Sequence, residues 1–200
     1  MISNVRGYKE MAVMDRAENL KSTNVKLDSD NNVAGSDNII LIGMPASGKS
    51  TLGVILAKVL GYRFIDSDIL IQECQKQKLS EIIEAEGIDA FIEIENKVNA
   101  TINTNKTVIA TGGSAVYGRE AMQHFKQIGK IVYLHVDYER LVKRLSDIRQ
   151  RGVVIREGQT FEQLYEERLK LYRQYADITV DEECENVEKV LADLLAKLGE

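Results

Sequence analysis

Short apolar runs alternate with helical periodicities along the chain from Asn38 onwards. Because these runs are apolar, apart from Thr179, and only two to four residues long, the pattern predicts buried strands over residues 39–42, 64–65, 108–110, 131–134 and 178–180. Apolar residues at every third or fourth position predict a helix ending at Gly61 and further helices over 79–86, 88–102, 118–127, 137–146, 161–174 and 185–198. This order is typical of the α/β class, with a five-stranded parallel sheet flanked by helices on both faces.

The first 37 residues differ from the rest, because Asn, Asp, Ser, Lys and Glu dominate and residues 27–32 are strongly turn-forming. Such a segment cannot bury enough apolar surface to offset the entropy lost on ordering. We therefore predict two parts: a polar amino-terminal extension over residues 1–37, compatible with disorder, and one α/β domain over residues 38–200.

Charge and composition narrow the classes of partner. The 200 residues include 26 Lys and Arg against 31 Asp and Glu, a net charge of −5, which argues against general nucleic-acid binding. No apolar run approaches the roughly 18 residues that a membrane span needs. Cys74 and Cys184 lie in no metal-ligand spacing and suggest free thiols. We expect a cytoplasmic protein with a small-molecule partner and a monomeric state, with an oligomer left open.

A glycine-rich turn after the first strand fits the pattern G-x-x-x-x-G-K-[ST] at every fixed position. Its glycines let successive backbone N–H groups point at phosphate oxygens, and the following helix adds its positive end. Lys49 can reach the β- and γ-phosphates, and the Ser50 hydroxyl can ligate Mg²⁺. The motif predicts binding of ATP with magnesium by Gly43, Met44, Pro45, Ala46, Ser47, Gly48, Lys49, Ser50 and Thr51.

Two aspartates follow the second predicted strand, where ligands bind in an open α/β sheet. Asp66 can face magnesium through water, while Asp68 can orient an acceptor hydroxyl and accept its proton. The alternative is a pair of helix-capping residues, with Asp68 as the N-cap of the next helix. The residues alone leave both interpretations open.

Two further groups are candidates for substrate contacts. Gly112 and Gly113, at the end of the third strand, would let a ligand approach the backbone, although an ordinary strand-to-helix turn has the same composition. Arg149, Arg151 and Arg156 lie in a charged segment where a mobile arginine could neutralise the transferred phosphoryl group. A solvated charged loop is the alternative for each arginine.

With these residues in view, the region from Asn38 to Glu200 resembles the shikimate kinase family, within the P-loop kinases. The landmarks that carry the resemblance come in the family's order: GMPASGKST, FIDSD, ATGG, an arginine-bearing lid and ERLKLY leading into Ala176-Asp177. The resemblance implies ATP-dependent phosphorylation of a ring hydroxyl of shikimate, substrate-binding helices over about 68–102 and a lid over about 147–160.

The resemblance also implies individual roles. It places Lys49, Asp68 and Arg151 in the catalytic machinery, with Ser50 and Asp66 at Mg²⁺. It places Arg144 near adenine, and Arg151 on both phosphate and substrate. The acceptor would be held by Asp68, Gly112, Gly113 and Arg168.

Four positions depart from the family pattern. The family has an arginine after the phenylalanine of the substrate-binding helix, where this chain has Ile92, and a third pocket glycine where it has Ser114. Gly152 and Lys170 replace prolines. The phosphoryl-transfer residues are therefore intact while the substrate residues are altered. Two alternatives follow: a small-molecule kinase with another hydroxy-acid or polyol acceptor, or a non-catalytic ATP-binding regulator. The role of Glu95, beside the altered position, stays open.

Overall fold

The computed structural model describes residues 37–145, 155–182 and 186–200. Five strands lie in these ranges: β1 (Asn38–Ile42), β2 (Arg63–Asp66), β3 (Thr107–Ala110), β4 (Gly129–His135) and β5 (Ile178–Asp181). The α-helices of the same ranges are α1 (Lys49–Leu60), α2 (Ser67–Gln75), α3 (Leu79–Glu86), α4 (Ile88–Ala100), α5 (Arg119–Ile128), α6 (Tyr138–Arg144), α7 (Phe161–Tyr175) and α8 (Val187–Leu198). None of them is long and apolar enough to cross a membrane.

The strands form one sheet in the order β2-β3-β1-β4-β5, and every neighbouring pair is parallel. The register places Leu41 of the central strand between Ala110 of β3 and Val132 of β4. All carboxyl ends therefore meet at one edge, where the loops after β1, β2 and β3 lie side by side. The predicted five-stranded parallel sheet is confirmed.

Both faces of the sheet are buried, which explains the continuous apolar runs. Ile40 and Ile42 point to one face, against Phe125 of α5 and Tyr172 of α7. The alternate residues of β1 point to the opposite face, where α1 and α8 contribute apolar side chains. Helices on both faces were predicted from the sequence, and they are confirmed.

The amino edge of the sheet, opposite the loops, is held by the buried side chain of Asn38. Its amide donates to the carbonyl oxygens of Thr104 and Ile128, each at 2.8 Å, and its Oδ1 accepts from the Thr107 backbone N–H at 3.0 Å. These bonds satisfy backbone groups from the starts of β3 and β4 with one side chain. They connect the central strand to both of its neighbours.

The structure adds details that periodicity did not give. A short 3₁₀ turn, Ala115–Tyr117, follows the glycines after β3. The predicted helix over 137–146 is described as Tyr138–Arg144. Most of the predicted lid over 147–160 and the predicted extension, apart from its last residue, lie outside the described residues, so both stay predictions.

Candidate active site

The loop after β1 has the backbone conformation that its glycines allow. Gly43 and Gly48 have φ angles of +149° and +86°, which side chains of L-residues disfavour. A Cβ at Gly43 would also lie 2.6 Å from the carbonyl oxygen of Leu134. The loop therefore curls between β1 and β4 and leads directly into the amino terminus of α1, where the first N–H groups of the helix are available to an anion.

Lys49, the first residue of α1, reaches back over the loop. Its Nζ donates to the carbonyl oxygens of Gly43 and Met44, both at 2.8 Å, and the residue is only 7% exposed. Burial lowers the pKa of Lys49 to about 8, while the nearby carboxylates of Asp68, Asp66 and Glu95 oppose that shift. The ammonium group is thus fixed beside the loop, where it could donate a hydrogen bond to a phosphate oxygen.

Ser50 and Asp66 form a pair of oxygen donors next to the loop. The Ser50 hydroxyl donates to Asp66 Oδ2 at 2.7 Å, while Asp66 Oδ1 accepts the backbone N–H of Asp68 at 3.0 Å. Asp66 is therefore the N-cap of α2, and the capping alternative for Asp68 is wrong. Hydroxyl and carboxylate oxygens are suitable ligands for Mg²⁺.

Asp68 lies in the first turn of α2, and the capping interaction leaves its carboxylate free to face the cavity below the loop. Burial raises the pKa of this carboxyl, and the negative charge of Asp66 adds to the effect, while the ammonium of Lys49 opposes it. A carboxylate with a raised pKa is a better proton acceptor than an ordinary surface aspartate.

A cavity of about 430 Å³ brings the predicted nucleotide and acceptor residues together. Its lining comes from the phosphate loop and start of α1 (Pro45, Ala46, Gly48, Lys49, Ser50, Thr51), from α2, α3 and α4 (Asp68, Leu79, Phe91), from the loop after β3 (Thr111, Gly112, Gly113, Ser114) and from Arg168 of α7. The cavity has room for a small polyol beside the phosphate loop.

The two glycines after β3 are required by close approaches. A Cβ on Gly112 would lie 2.3 Å from Glu95 Oε1 and 2.7 Å from Asp68 Oδ1. A Cβ on Gly113 would lie 2.7 Å from Cδ of Pro45 in the phosphate loop. Any larger residue at either position would push the loop after β3 away from the two carboxylates or from the phosphate loop.

Glu95 of α4 is a buried acid beside this loop, only 1% exposed. The Ser114 hydroxyl donates to its Oε2 at 2.5 Å, whereas its Oε1 has no hydrogen-bond partner. Burial raises the pKa of Glu95 to about 7, against the lowering effect of the Ser114 hydrogen bond. Ser114, one of the departures from the family pattern, thus contacts the glutamate whose role the sequence left open.

Arg168 of α7 is the most deeply placed cation of the lining, with 1% of its surface exposed. Its Nε–H donates to the Tyr117 hydroxyl at 3.4 Å, and its guanidinium carbon lies 5.3 Å from the centre of the Tyr117 ring. Its Nη1 lies close to Gly113, since a Cβ there would be 3.0 Å away. The guanidinium therefore lies at the cavity wall beside the loop after β3.

Of two predicted arginines, Arg144 is not part of the cavity lining and Arg151 lies outside the described residues. Arg144 of α6 donates to Glu182 Oε2 at 2.5 Å, and more distantly to the carbonyl oxygen of Ala46 in the phosphate loop at 3.4 Å. Its predicted contact with adenine stays a prediction. Arg151 lies outside the described residues, so its catalytic role also stays a prediction.

The sequence reasoning missed three residues around the site. Phe91 appears in sequence as part of an apolar helix face, yet it lines the cavity, as does Leu79 at the start of α3. Tyr117 contacts Arg168 from the 3₁₀ turn. Apolar periodicity could not single out Phe91 and Leu79, because an apolar cavity wall has the same sequence pattern as a hydrophobic core. Tyr117 lies in a 3₁₀ turn, which has no period to detect.

These features together define the class of protein. A phosphate-binding loop follows the central strand of a parallel sheet, a buried lysine lies over it, and an acid faces a cavity of small-molecule size. The protein is a P-loop kinase of small molecules.

Comparison with known proteins gives the particular family. The family model described as shikimate kinase matches residues 45–199, so the chain belongs to the shikimate kinase family. The resemblance inferred from the sequence motifs is confirmed.

Individual relatives agree along most of their length. The shikimate kinase of Sulfurihydrogenibium sp. is 33% identical, over 80% of this chain and 97% of its own length. The shikimate kinase of Prochlorococcus marinus is 38% identical, over 74% of this chain and 76% of its own length. A solved shikimate kinase from Acinetobacter baumannii, in complex with shikimate, superposes with a TM-score of 0.73 at 29% identity, covering 82% of this chain and 93% of that one. The solved shikimate kinase of Aquifex aeolicus superposes with a TM-score of 0.70 at 32% identity, covering 81% of this chain and 96% of that one.

Proposed function

We propose that this protein transfers the γ-phosphoryl group of ATP to a ring hydroxyl of shikimate. The observation that carries the proposal is the shared cavity, in which Lys49 of the phosphate loop, Asp68 of α2 and Arg168 of α7 face one space. The family relatives named as shikimate kinases, and the solved relative with shikimate bound, support this acceptor.

The residues present suit ATP and magnesium. The curled loop and the start of α1 offer backbone N–H groups to the phosphates, and Lys49 offers a buried ammonium. Ser50 and Asp66 would hold Mg²⁺, directly or through water, because they present adjacent oxygen donors. When bound, magnesium supplies positive charge that offsets the charge of the phosphates.

Asp68 is the proposed base. Its carboxylate accepts the proton of the acceptor hydroxyl as that oxygen attacks the γ-phosphorus, and the bond to the leaving oxygen of ADP breaks. Lys49 stabilises negative charge on the phosphoryl oxygens throughout this transfer. Arg168 binds the acceptor carboxylate, because a buried guanidinium forms strong charge-assisted hydrogen bonds with a planar anion.

A coupled assay of ADP formation with shikimate, quinate and gluconate as acceptors tests the proposal. Wild type should turn over shikimate well above the others. Lys49→Ala should lose turnover by a factor of about 100 or more, and Asp68→Asn should reduce kcat with little change in calorimetric ATP affinity. Asp193→Asn, an exposed acid of α8, is the matched control and should keep wild-type rates.

Three results would contradict the proposal. Turnover of quinate or gluconate with none of shikimate would support a different acceptor, the alternative suggested by Ile92. Binding of ATP and magnesium with no transfer to any of the three acceptors would favour the regulator. Unchanged shikimate turnover in Lys49→Ala would also remove the phosphate loop from the chemistry.

A further inference from the structure

We propose that Arg156 is a second acceptor-binding residue, which holds the carboxylate of the acceptor together with Arg168. This inference rests on the proposed function and deepens it, because it names a specificity residue that the shared motifs do not include. Two guanidinium groups converge on one aromatic side chain in this part of the molecule.

The ring of Tyr117 is the point of convergence. Arg168 places its guanidinium carbon 5.3 Å from the ring centre, and Arg156 places its own at 5.9 Å. The first arginine lines the acceptor side of the cavity and comes from α7, whereas the second precedes that helix and is half-exposed. Two cations at one aromatic side chain form a local site for a single anion.

The hydrogen-bond partner of Arg156 shows beside which part of α4 its guanidinium lies. Its Nη2 donates to Asp89 Oδ1 at 3.0 Å, and Asp89 lies in the first turn of α4. Residues three apart on a helix are neighbours, so the guanidinium is held on the side of α4 that carries Ile92. Ile92 follows Phe91, which lines the cavity, so the Asp89 contact holds Arg156 one residue along α4 from the cavity wall.

The contact with Asp89 is weak enough to be exchanged. The side chains of Arg156 and Asp89 are 52% and 85% exposed, and ion pairs between exposed side chains contribute little stability. Glu167 is the other acid near Arg156, and its Oε2 already accepts a hydrogen bond from the side chain of Gln159 at 2.8 Å. A carboxylate in the partly enclosed cavity can therefore compete for the guanidinium.

The chemical class of the ligand follows from these groups. Guanidinium forks match planar carboxylates, with two parallel N–H···O bonds, better than they match hydroxyls. An acceptor held by both arginines is a hydroxy acid whose hydroxyl reaches Asp68 while its carboxylate faces Tyr117. Neutral polyols lack the group that Arg156 binds.

Steady-state kinetics of four variants tests the proposal with ATP and shikimate. Arg156→Ala should raise KM for shikimate roughly tenfold to a hundredfold, the usual cost of losing a hydrogen bond to a charged group, and leave KM for ATP within about twofold. The KM of Arg156→Lys for shikimate should lie between those of wild type and Arg156→Ala, because lysine keeps the positive charge but cannot form two parallel hydrogen bonds. Asp89→Asn should not raise KM for shikimate, since it frees the guanidinium. Arg119→Ala, an exposed arginine of α5, is the control for loss of one positive charge.

Each outcome separates the acceptor role from the alternatives. An unchanged KM for shikimate in Arg156→Ala would overturn the proposal. So would an equal rise in Asp89→Asn, because that result would assign Arg156 to fixing α4 rather than to binding. If wild type itself does not phosphorylate shikimate, the proposed function fails first, whereas active wild type with an insensitive Arg156 refutes this inference alone.

Discussion

At the scale of single residues, the altered acceptor side is organised around Glu95. This acid keeps its position on α4 although the neighbouring residue is Ile92, and its Oε2 is bonded to the Ser114 hydroxyl. A buried carboxyl with one unpartnered oxygen is costly when ionised, because burial removes its hydration and the nearby cations Lys49 and Arg168 offset only part of that cost. Protonation of Glu95 should therefore stabilise the fold.

This cost gives Glu95 a pH signature. Its pKa rises from 4.5 to about 7 on folding, so the folded state retains a proton that the unfolded state releases. The stabilising contribution is present below pH 4.5 and is lost as pH rises to about 7, by an amount of about 3 kcal/mol. The free energy of unfolding, measured with denaturant between pH 5 and pH 8, should thus fall less steeply with rising pH for Glu95→Gln than for wild type.

The control for this measurement is Glu93→Gln, which changes an exposed acid on the same helix. That variant should retain the wild-type pH dependence. Parallel stability curves for wild type and Glu95→Gln would show that Glu95 does not titrate differently in the folded state, and the account of the buried charge would be wrong.

The residues that could be predicted from sequence are those whose chemistry is contiguous. The phosphate loop is a single run, so Lys49 and Ser50 could be assigned without the fold. The hydrogen bond between Glu95 and Ser114 joins residues 19 positions apart, and only the packing of α4 against the loop after β3 reveals it. The sequence left open whether Asp68 caps α2, because boundary positions are poorly determined by pattern, and the structure gives that role to Asp66.

At the scale of elements, the start of α2 joins a structural and a chemical task. Asp66 caps the helix through Oδ1 and accepts the Ser50 hydroxyl through Oδ2. Two variants separate these tasks. Asp66→Asn should keep stability, because asparagine caps well, whereas Asp66→Ala should lose about 1 kcal/mol of unfolding free energy.

The second task of Asp66 should respond differently. Both Asp66→Asn and Asp66→Ala should raise the magnesium concentration needed for half-maximal activity, since both remove the negative charge. Thermal or denaturant unfolding and a magnesium titration of the kinase assay measure the two effects. Equal destabilisation of both variants, with unchanged magnesium dependence, would contradict the division.

Elements with a clear period were predicted closely, and short irregular ones were not. The strands and the long helices α4, α7 and α8 agree within one or two residues, because both faces of the sheet impose a continuous apolar pattern. The 3₁₀ turn at Ala115–Tyr117 has no period to detect, although it carries the tyrosine between the two arginines. Its conformation depends on contacts with α4 and α7 that lie far away in sequence.

At the scale of the whole molecule, the matched family region begins at residue 45 and the sheet begins at Asn38. We therefore expect a chain lacking residues 1–36 to keep its midpoint of thermal unfolding within about 2 °C and its kcat within about twofold. Circular dichroism melting and the kinase assay measure both quantities. A large loss of either would assign the polar segment a structural or catalytic task that its composition does not indicate.

Asn38 affects how well this chain tolerates substitutions around the cavity. Its three hydrogen bonds fix β1, β3 and β4 at the edge remote from catalysis, so strand alignment does not depend on which side chains surround the acceptor. Exchanges such as those at Ile92 and Ser114 can then accumulate without disturbing that alignment. Because Asn38 aligns the strands at the amino edge of the sheet, substitutions around the cavity at the carboxyl edge can change ligand preference while the strand alignment is kept.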